Sequence, residues 1–175
     1  MDITEVILSD HHDQRRMFAL LDDVDRSDVK TLTVLWDRLS ALLEVHAQAE
    51  ELFFYPELLA LGRRLRDDSE TAETRDAIGD HNDIRDGILE AARHEVGSEG
   101  WWGGVDAARR ANDEHMGEEE HEGLRDFRLH VDLETRHRIA VPFVAYEAEF
   151  VTGVPIEDKD PERYVETQGE GDGPR

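Results

Sequence analysis

The stretch Leu42–Pro56, LLEVHAQAEELFFYP, sets a lone histidine and, four residues later, a glutamate inside a strongly apolar run. At helical spacing Leu39, Leu43, His46, Glu50 and Phe54 form one stripe, so His46 and Glu50 lie on the face that packs inward. A carboxylate buried without a partner is unfavourable by an amount on the order of several kcal/mol. The rest of the chain should therefore supply whatever compensates it.

A repeat supplies the partners. His11, His46, His81 and His115 follow one another at intervals of 35, 35 and 34 residues, one in each of four predicted helices. His46 and His115 each carry a glutamate at +4, Glu50 and Glu119, so the chain reads as two similar halves. Each half is a lone-histidine helix followed by a His-x-x-x-Glu helix. The fourth stripe is Val105, Ala108, Asn112, His115 and Glu119; His81 lies between Ile78 and Ile84, and His11 between Ile7 and Phe18. An i, i+4 pair shares one helix face, so each His-Glu couple can reach a common point in a bundle core. Four imidazoles and two carboxylates form a nitrogen and oxygen cage for first-row transition metals, and two ions suit the count because each carboxylate can bridge. Bound dications would make the buried carboxylates favourable and keep the imidazoles neutral.

The hydrophobic periodicity is helical almost throughout and predicts an all-α fold. The first helix runs over 3–24 from a capping box of Asp2 and Glu5, and Ser27 caps a second whose end Pro56 kinks before Gly62. Ser69 caps a third helix that closes at Gly97. GSEGWWGG is expected to be a glycine-rich loop, with the fourth helix over about 105–129. Asp132 caps a fifth, with His137 on its Leu133, Val141 and Val144 stripe. These elements suggest an up-and-down antiparallel four-helix bundle over 1–130, an additional helix packed outside over 131–151, and a mobile polar tail over 152–175.

Net charge is −23, from 43 acidic and 20 basic residues, which argues against nucleic acid and anionic membranes as partners. There is no cysteine, so disulfides, iron–sulfur clusters and thiol catalysis are excluded. The start lacks a basic region and a long apolar run, and no segment is apolar enough to span a bilayer, so a cytoplasmic protein is the expectation.

DHHDQRRMF, HAQAEELFFYP, DHNDIRDGI and HMGEEEHEGL, in that order, resemble the four signature segments of the hemerythrin-like, or HHE cation-binding, family over roughly residues 3–130. The resemblance implies a four-helix bundle holding a non-haem di-iron centre, carboxylate-bridged and oxo- or hydroxo-bridged. By motif position it implies His11, His46, Glu50, His81, His115 and Glu119 as metal ligands. Oxygen-carrying hemerythrins have a fifth histidine, paired at a spacing of four on the third helix. Here the positions four away from His81 are Ala77 and Arg85. That departure would leave an open or water-filled position, and fits peroxide chemistry, oxygen reduction or iron sensing better than oxygen storage.

Two assignments have competitors. Glu120 stands at +5 from His115, but Glu119 matches Glu50 in the other half; His12 adjoins His11, but is followed by Arg15 and Arg16 at +3 and +4. Tyr55 is read as a half-buried packing residue at the helix kink, with a phenol reaching the site as the other reading. Gln14 either hydrogen-bonds a ligand or lies at the bundle rim. Trp101 and Trp102 are read as packing from the loop to the core, His94, His121 and His130 as solvent-facing, and His137 as a packing residue. Ferritin-like di-iron sites use Glu-x-x-His pairs; Glu118-x-x-His121 and Glu134-x-x-His137 fit that pattern, but the first lies on a solvated face. Two functions remain: a di-iron enzyme acting on O₂ or H₂O₂, catalase- or peroxidase-like, or a sensing or binding module for O₂, NO or iron without turnover.

Overall fold

The structure is a computed structural model that describes residues 1–65 and 69–169. Among the described residues every regular element is helical: α1 (Ile3–Asp23), α2 (Val29–Ala49), a π-helical turn (Glu50–Phe54), α3 (Tyr55–Leu65), α4 (Ser69–Ala92), α5 (Glu99–His121), α6 (Gly123–His130), α7 (Leu133–Glu149) and α8 (Pro161–Gly169). No described helix is long and apolar enough to cross a membrane.

Local chemistry sets the ends. Asp2 caps α1 by accepting from the Thr4 N–H, and Asp132 caps α7 through Thr135. The cap of α2 is Asp28, which accepts from Thr31; Ser27, the expected cap, instead donates its hydroxyl to Asp25. The expected loop GSEGWWGG is corrected: Ser98 accepts from the Trp101 N–H and starts α5 at Glu99. The tryptophans are buried as expected, but from a helix rather than a loop. The glycines there serve packing. A Cβ on Gly104 would lie 2.3 Å from the Ala91 nitrogen, and one on Gly87 would lie 2.4 Å from that of Ala108. The backbones of α4 and α5 touch where these small residues face one another.

Helix α2 continues through the π turn into α3. Pro56 has no N–H, and its ring would collide with the carbonyl four residues back, that of Leu52, in a regular α-helix. The wider turn, in which the Tyr55 N–H bonds the Glu50 carbonyl five residues back, relieves this and turns both Glu50 and Glu51 inward.

The core is in two parts. One joins Ile3 and Ile7 of α1 to Phe54, Leu58, Ile78, Leu124, Phe127, Ile139 and Phe143. The other joins Phe18 and Leu21 of α1 to Leu32, Trp36, Leu39, Ile84, Ile88, Trp101 and Val105. His11 falls between the two sets of α1 residues, so the polar layer is sealed by hydrocarbon above and below.

Two expectations for the C-terminal region change. The buried face of α7 is Ile139, Ala140 and Phe143, whereas Leu133 and Val141 are more than half exposed. Larger side chains at an i, i+4 spacing define the packed face, and His137 on the opposite side is exposed, with Nδ1 3.2 Å from the Met1 carbonyl oxygen. The expected tail is packed over its described part. Helix α8 buries Tyr164 and Val165, and Asn82 bonds both the N–H and the carbonyl of Lys159. Two apolar anchors suffice to hold this otherwise polar segment; 170–175 lie outside the described residues.

The close α4–α5 crossing predicts opposite outcomes for neighbouring glycines. Gly104→Ala overpacks the crossing and should destabilise by roughly 1–3 kcal/mol. Gly103→Ala meets nothing within 4 Å and should stabilise by up to about 1 kcal/mol through helix propensity. Denaturant unfolding of the two variants reads the difference; equal signs would contradict the packing described.

Candidate metal centre

Each of four helices delivers one imidazole to the layer between the two cores: His11 from α1, His46 from α2, His81 from α4 and His115 from α5. Glu50, from the first residue of the π turn, and Glu119, from α5, join them. All six residues are at most 3% exposed. His12 and Glu120, the competing candidates, stay out of the layer: His12 is exposed and Glu120 points to the outer edge of His11.

Glu50 is at the centre, and its two oxygens face different histidines. Oε1 is 2.9 Å from His46 Nε2 and 4.0 Å from His11 Nε2. Oε2 is 3.3 Å from His81 Nε2 and 3.8 Å from His115 Nε2. The latter two nitrogens are themselves 3.2 Å apart. Glu119 Oε2 lies 3.3 Å from His11 Nε2. His11, Glu50, His115 and Glu119 offer four ligand atoms all within 4.8 Å of one another. The donor chemistry fits metal ions: His11 Nε2, His46 Nε2 and all four carboxylate oxygens are buried without a hydrogen-bond partner. Such orphaned atoms are rare in folded proteins and call for an explanation.

The charges are mutually dependent. Burial alone would raise the Glu50 pKa, but His46, His115 and His81 hold it well below the carboxylate range. Burial opposes charging of His115, yet Asp80, Glu50 and Glu119 lift it to about 10. His46 is likewise raised well above 6.5 against burial by Glu50, Asp10 and Glu147.

The outer edge of every imidazole faces a carboxylate. His11 Nδ1 is 3.0 Å from Glu120 Oε1, which also accepts from Arg15, and His81 Nδ1 is 2.9 Å from Glu51 Oε1. His115 Nδ1 is 3.7 Å from Asp80 Oδ2, and His46 Nδ1 lies 3.5 Å from Asp10 Oδ2 and 3.6 Å from Glu147 Oε1. Sequence reading missed most of these acids, although four follow a pattern: Asp10 and Asp80 immediately precede inward histidines, and Glu51 and Glu120 immediately follow inward glutamates.

Arg85 does not vacate space beside His81. It is fully buried, its Nε 2.9 Å from Glu44 Oε2 and its Nη2 2.9 Å from Glu51 Oε1. Lys159 pairs with the other Glu51 oxygen, and the Tyr164 hydroxyl donates to the Glu51 carbonyl. Despite burial, His81, Arg85 and Lys159 keep the Glu51 carboxyl down at about 2. Ala77, four residues before His81, packs in the apolar cluster with Phe54 and Tyr55.

Tyr55 reaches the site, where the sequence favoured simple packing. Its ring centroid is 5.8 Å from that of His81, and its hydroxyl is buried without a hydrogen bond. Burial, with Glu119, Glu50 and Glu51 nearby, raises the phenol well above its usual range. Gln14 is buried rather than at a rim; its Oε1 accepts from Asn112 while its Nε2 lacks a partner. His94, His121 and His130 are exposed as expected, and the ferritin-like pairs are all exposed.

Glu73 lies against Gly123 at the break between α5 and α6. Burial first, then Glu119 and Glu122, raise its pKa to about 8. A carboxyl raised above its unfolded value, about 4.3, binds more protons folded than unfolded, so its contribution weakens the fold as pH rises from there through about 8. Glu73→Gln should therefore raise the melting temperature more at pH 8.5 than at pH 5. An equal shift at both values would show that Glu73 does not titrate in this interval.

No curated protein and no solved structure matches the chain. The family described as the hemerythrin HHE cation binding domain matches residues 2–127, a span that contains all six converging side chains. The chain belongs to the hemerythrin HHE cation-binding family.

Proposed function

We propose that this chain is a non-haem di-iron protein that binds, and reacts with, O₂ or H₂O₂. In this reading the ligands are His11, His46, Glu50, His81, His115 and Glu119, carried by an up-and-down antiparallel four-helix bundle. The observation that carries it is the division of Glu50, with His46 and His11 on one oxygen and His81 and His115 on the other. A carboxylate so flanked suits two cations bridged by that group rather than one. Glu119, beside His11, is the matching carboxylate from the second half of the repeat.

Iron bound there would supply Lewis acidity and redox capacity. The protein supplies the rest. The two apolar clusters exclude bulk water and bulky substrates, which limits reactants to molecules the size of O₂, H₂O₂ or NO. The unpaired Tyr55 hydroxyl beside Glu119 is the neutral donor available to a small oxidant or to that carboxylate. Ala77 and Arg85 stand where a further imidazole would be needed for an oxygen carrier, which favours peroxide chemistry over storage.

One observation favours a non-catalytic sensor as the second reading. Lys159 and Tyr164, from the C-terminal segment, grip Glu51 and so connect His81 to a surface element.

Anaerobic loading with iron(II) should give two irons per chain, and Glu50→Ala should reduce this to one or fewer. A wild-type content far below two would sink the di-iron reading. Adding H₂O₂ to the loaded protein separates the two functions: sustained oxygen evolution marks the enzyme, whereas a single spectral change without turnover marks the sensor. Tyr55→Phe should keep both irons and alter only the rate or the spectrum.

A further inference from the structure

Helix α7 lies beyond the matched family span, yet it reaches the metal layer. Its buried face runs from Ile139 through Phe143, whose ring centroid is 6.0 Å from that of His46, and one turn later comes Glu147. Glu147 Oε1 is 3.6 Å from His46 Nδ1, and Asp10 Oδ2, from α1, is 3.5 Å from the same nitrogen. All three atoms are buried, and none has a hydrogen-bond partner among the described residues, so each acid stands at ion-pair distance from the imidazole edge. Asp10 has a counterpart in the other half of the repeat, Asp80 beside His115, but among the described residues no second acid pairs with that His115 nitrogen.

An imidazole that binds a metal through Nε2 must carry its proton on Nδ1, and a carboxylate at that edge fixes both the tautomer and the ring orientation. Two carboxylates also add negative charge on the outer side of the ring, strengthening it as a donor to a dication. We propose that Glu147 is a positioning residue for His46, sharing the Nδ1–H with Asp10, so that α7 is a working part of the metal centre rather than an outer packing layer. This rests on the di-iron reading above. Because His46 adjoins Glu50 Oε1 and His81 and His115 adjoin Oε2, Glu147 acts on one of two metal positions.

The test is iron(II) affinity of the full chain, measured anaerobically by competition with a chromogenic chelator, beside the melting temperature of the metal-free protein. Glu147→Ala should weaken one of the two binding steps about 10- to 100-fold and leave the other within a few-fold. Glu147→Gln, which keeps an acceptor, should lose less. Asp10→Asn combined with Glu147→Gln should lose more than the two single changes together, since each acid covers for the other at one N–H. Glu149→Gln, an exposed acid on the same helix, should change neither step. The proposal is overturned if Glu147→Ala binds both irons like the wild type. It is also overturned if both steps weaken equally alongside a large fall in melting temperature, which would mark a packing role. A wild-type chain that takes up no iron would overturn the di-iron reading itself, and this inference with it.

Discussion

Glu50 is a carboxylate taken wholly out of water, with neither oxygen hydrogen-bonded. A group in that state is tolerated only if positive charge surrounds it, whether from protonated imidazoles or from metal ions. That requirement governs the architecture. Four helices must each bring a histidine to one level, and the levels on either side must be dry enough for the attraction to be strong. The split core meets the second condition, with Ile7, Phe54 and Phe143 on one side and Phe18, Leu39 and Ile84 on the other.

The acids behind the histidines form a closed circuit. Asp10 on α1 faces His46 on α2, Glu51 on the π turn faces His81 on α4, Asp80 on α4 faces His115 on α5, and Glu120 on α5 returns to His11 on α1. In each case the acid is the immediate sequence neighbour of an inward residue. Successive helical residues point about 100° apart, so a residue next to an inward one is aimed at the adjacent helix. The same dipeptides, Asp-His and Glu-Glu, therefore build both the inner layer and its support. Arg15 and Arg85 keep the two glutamates of the circuit charged.

Much of this was legible in the sequence because the spacing of the histidines and glutamates and the hydrophobic spacing reinforce one another. His46 and Glu50 are inward for the same reason as Leu39 and Leu43, and the four-fold recurrence of histidine singles them out from the other five. The elements that were misread are those where period and composition disagree. Gly103 and Gly104 look like a loop until Ala91 shows what a missing Cβ permits. Pro56 signals a kink, but not that the kink is a π turn placing Glu51 beside His81. In α7 two apolar stripes compete, and only contact with α1, α2 and the π turn decides between them. The segment around α8 is polar in composition, and two buried side chains, together with Lys159 on Asn82 and Glu51, outweigh that.

A π turn is one residue more than a regular helix would use over the same span. Shortening Glu50–Phe54 by a single residue would leave a straight helix, but Pro56 would then meet a carbonyl that the wide turn now moves aside. At Leu52, length is thus under tighter constraint than side-chain identity: half exposed, it can vary freely, yet its position cannot be lost. Among chains of this kind, substitutions should accumulate at the position of Leu52, while deletions within these five residues do not.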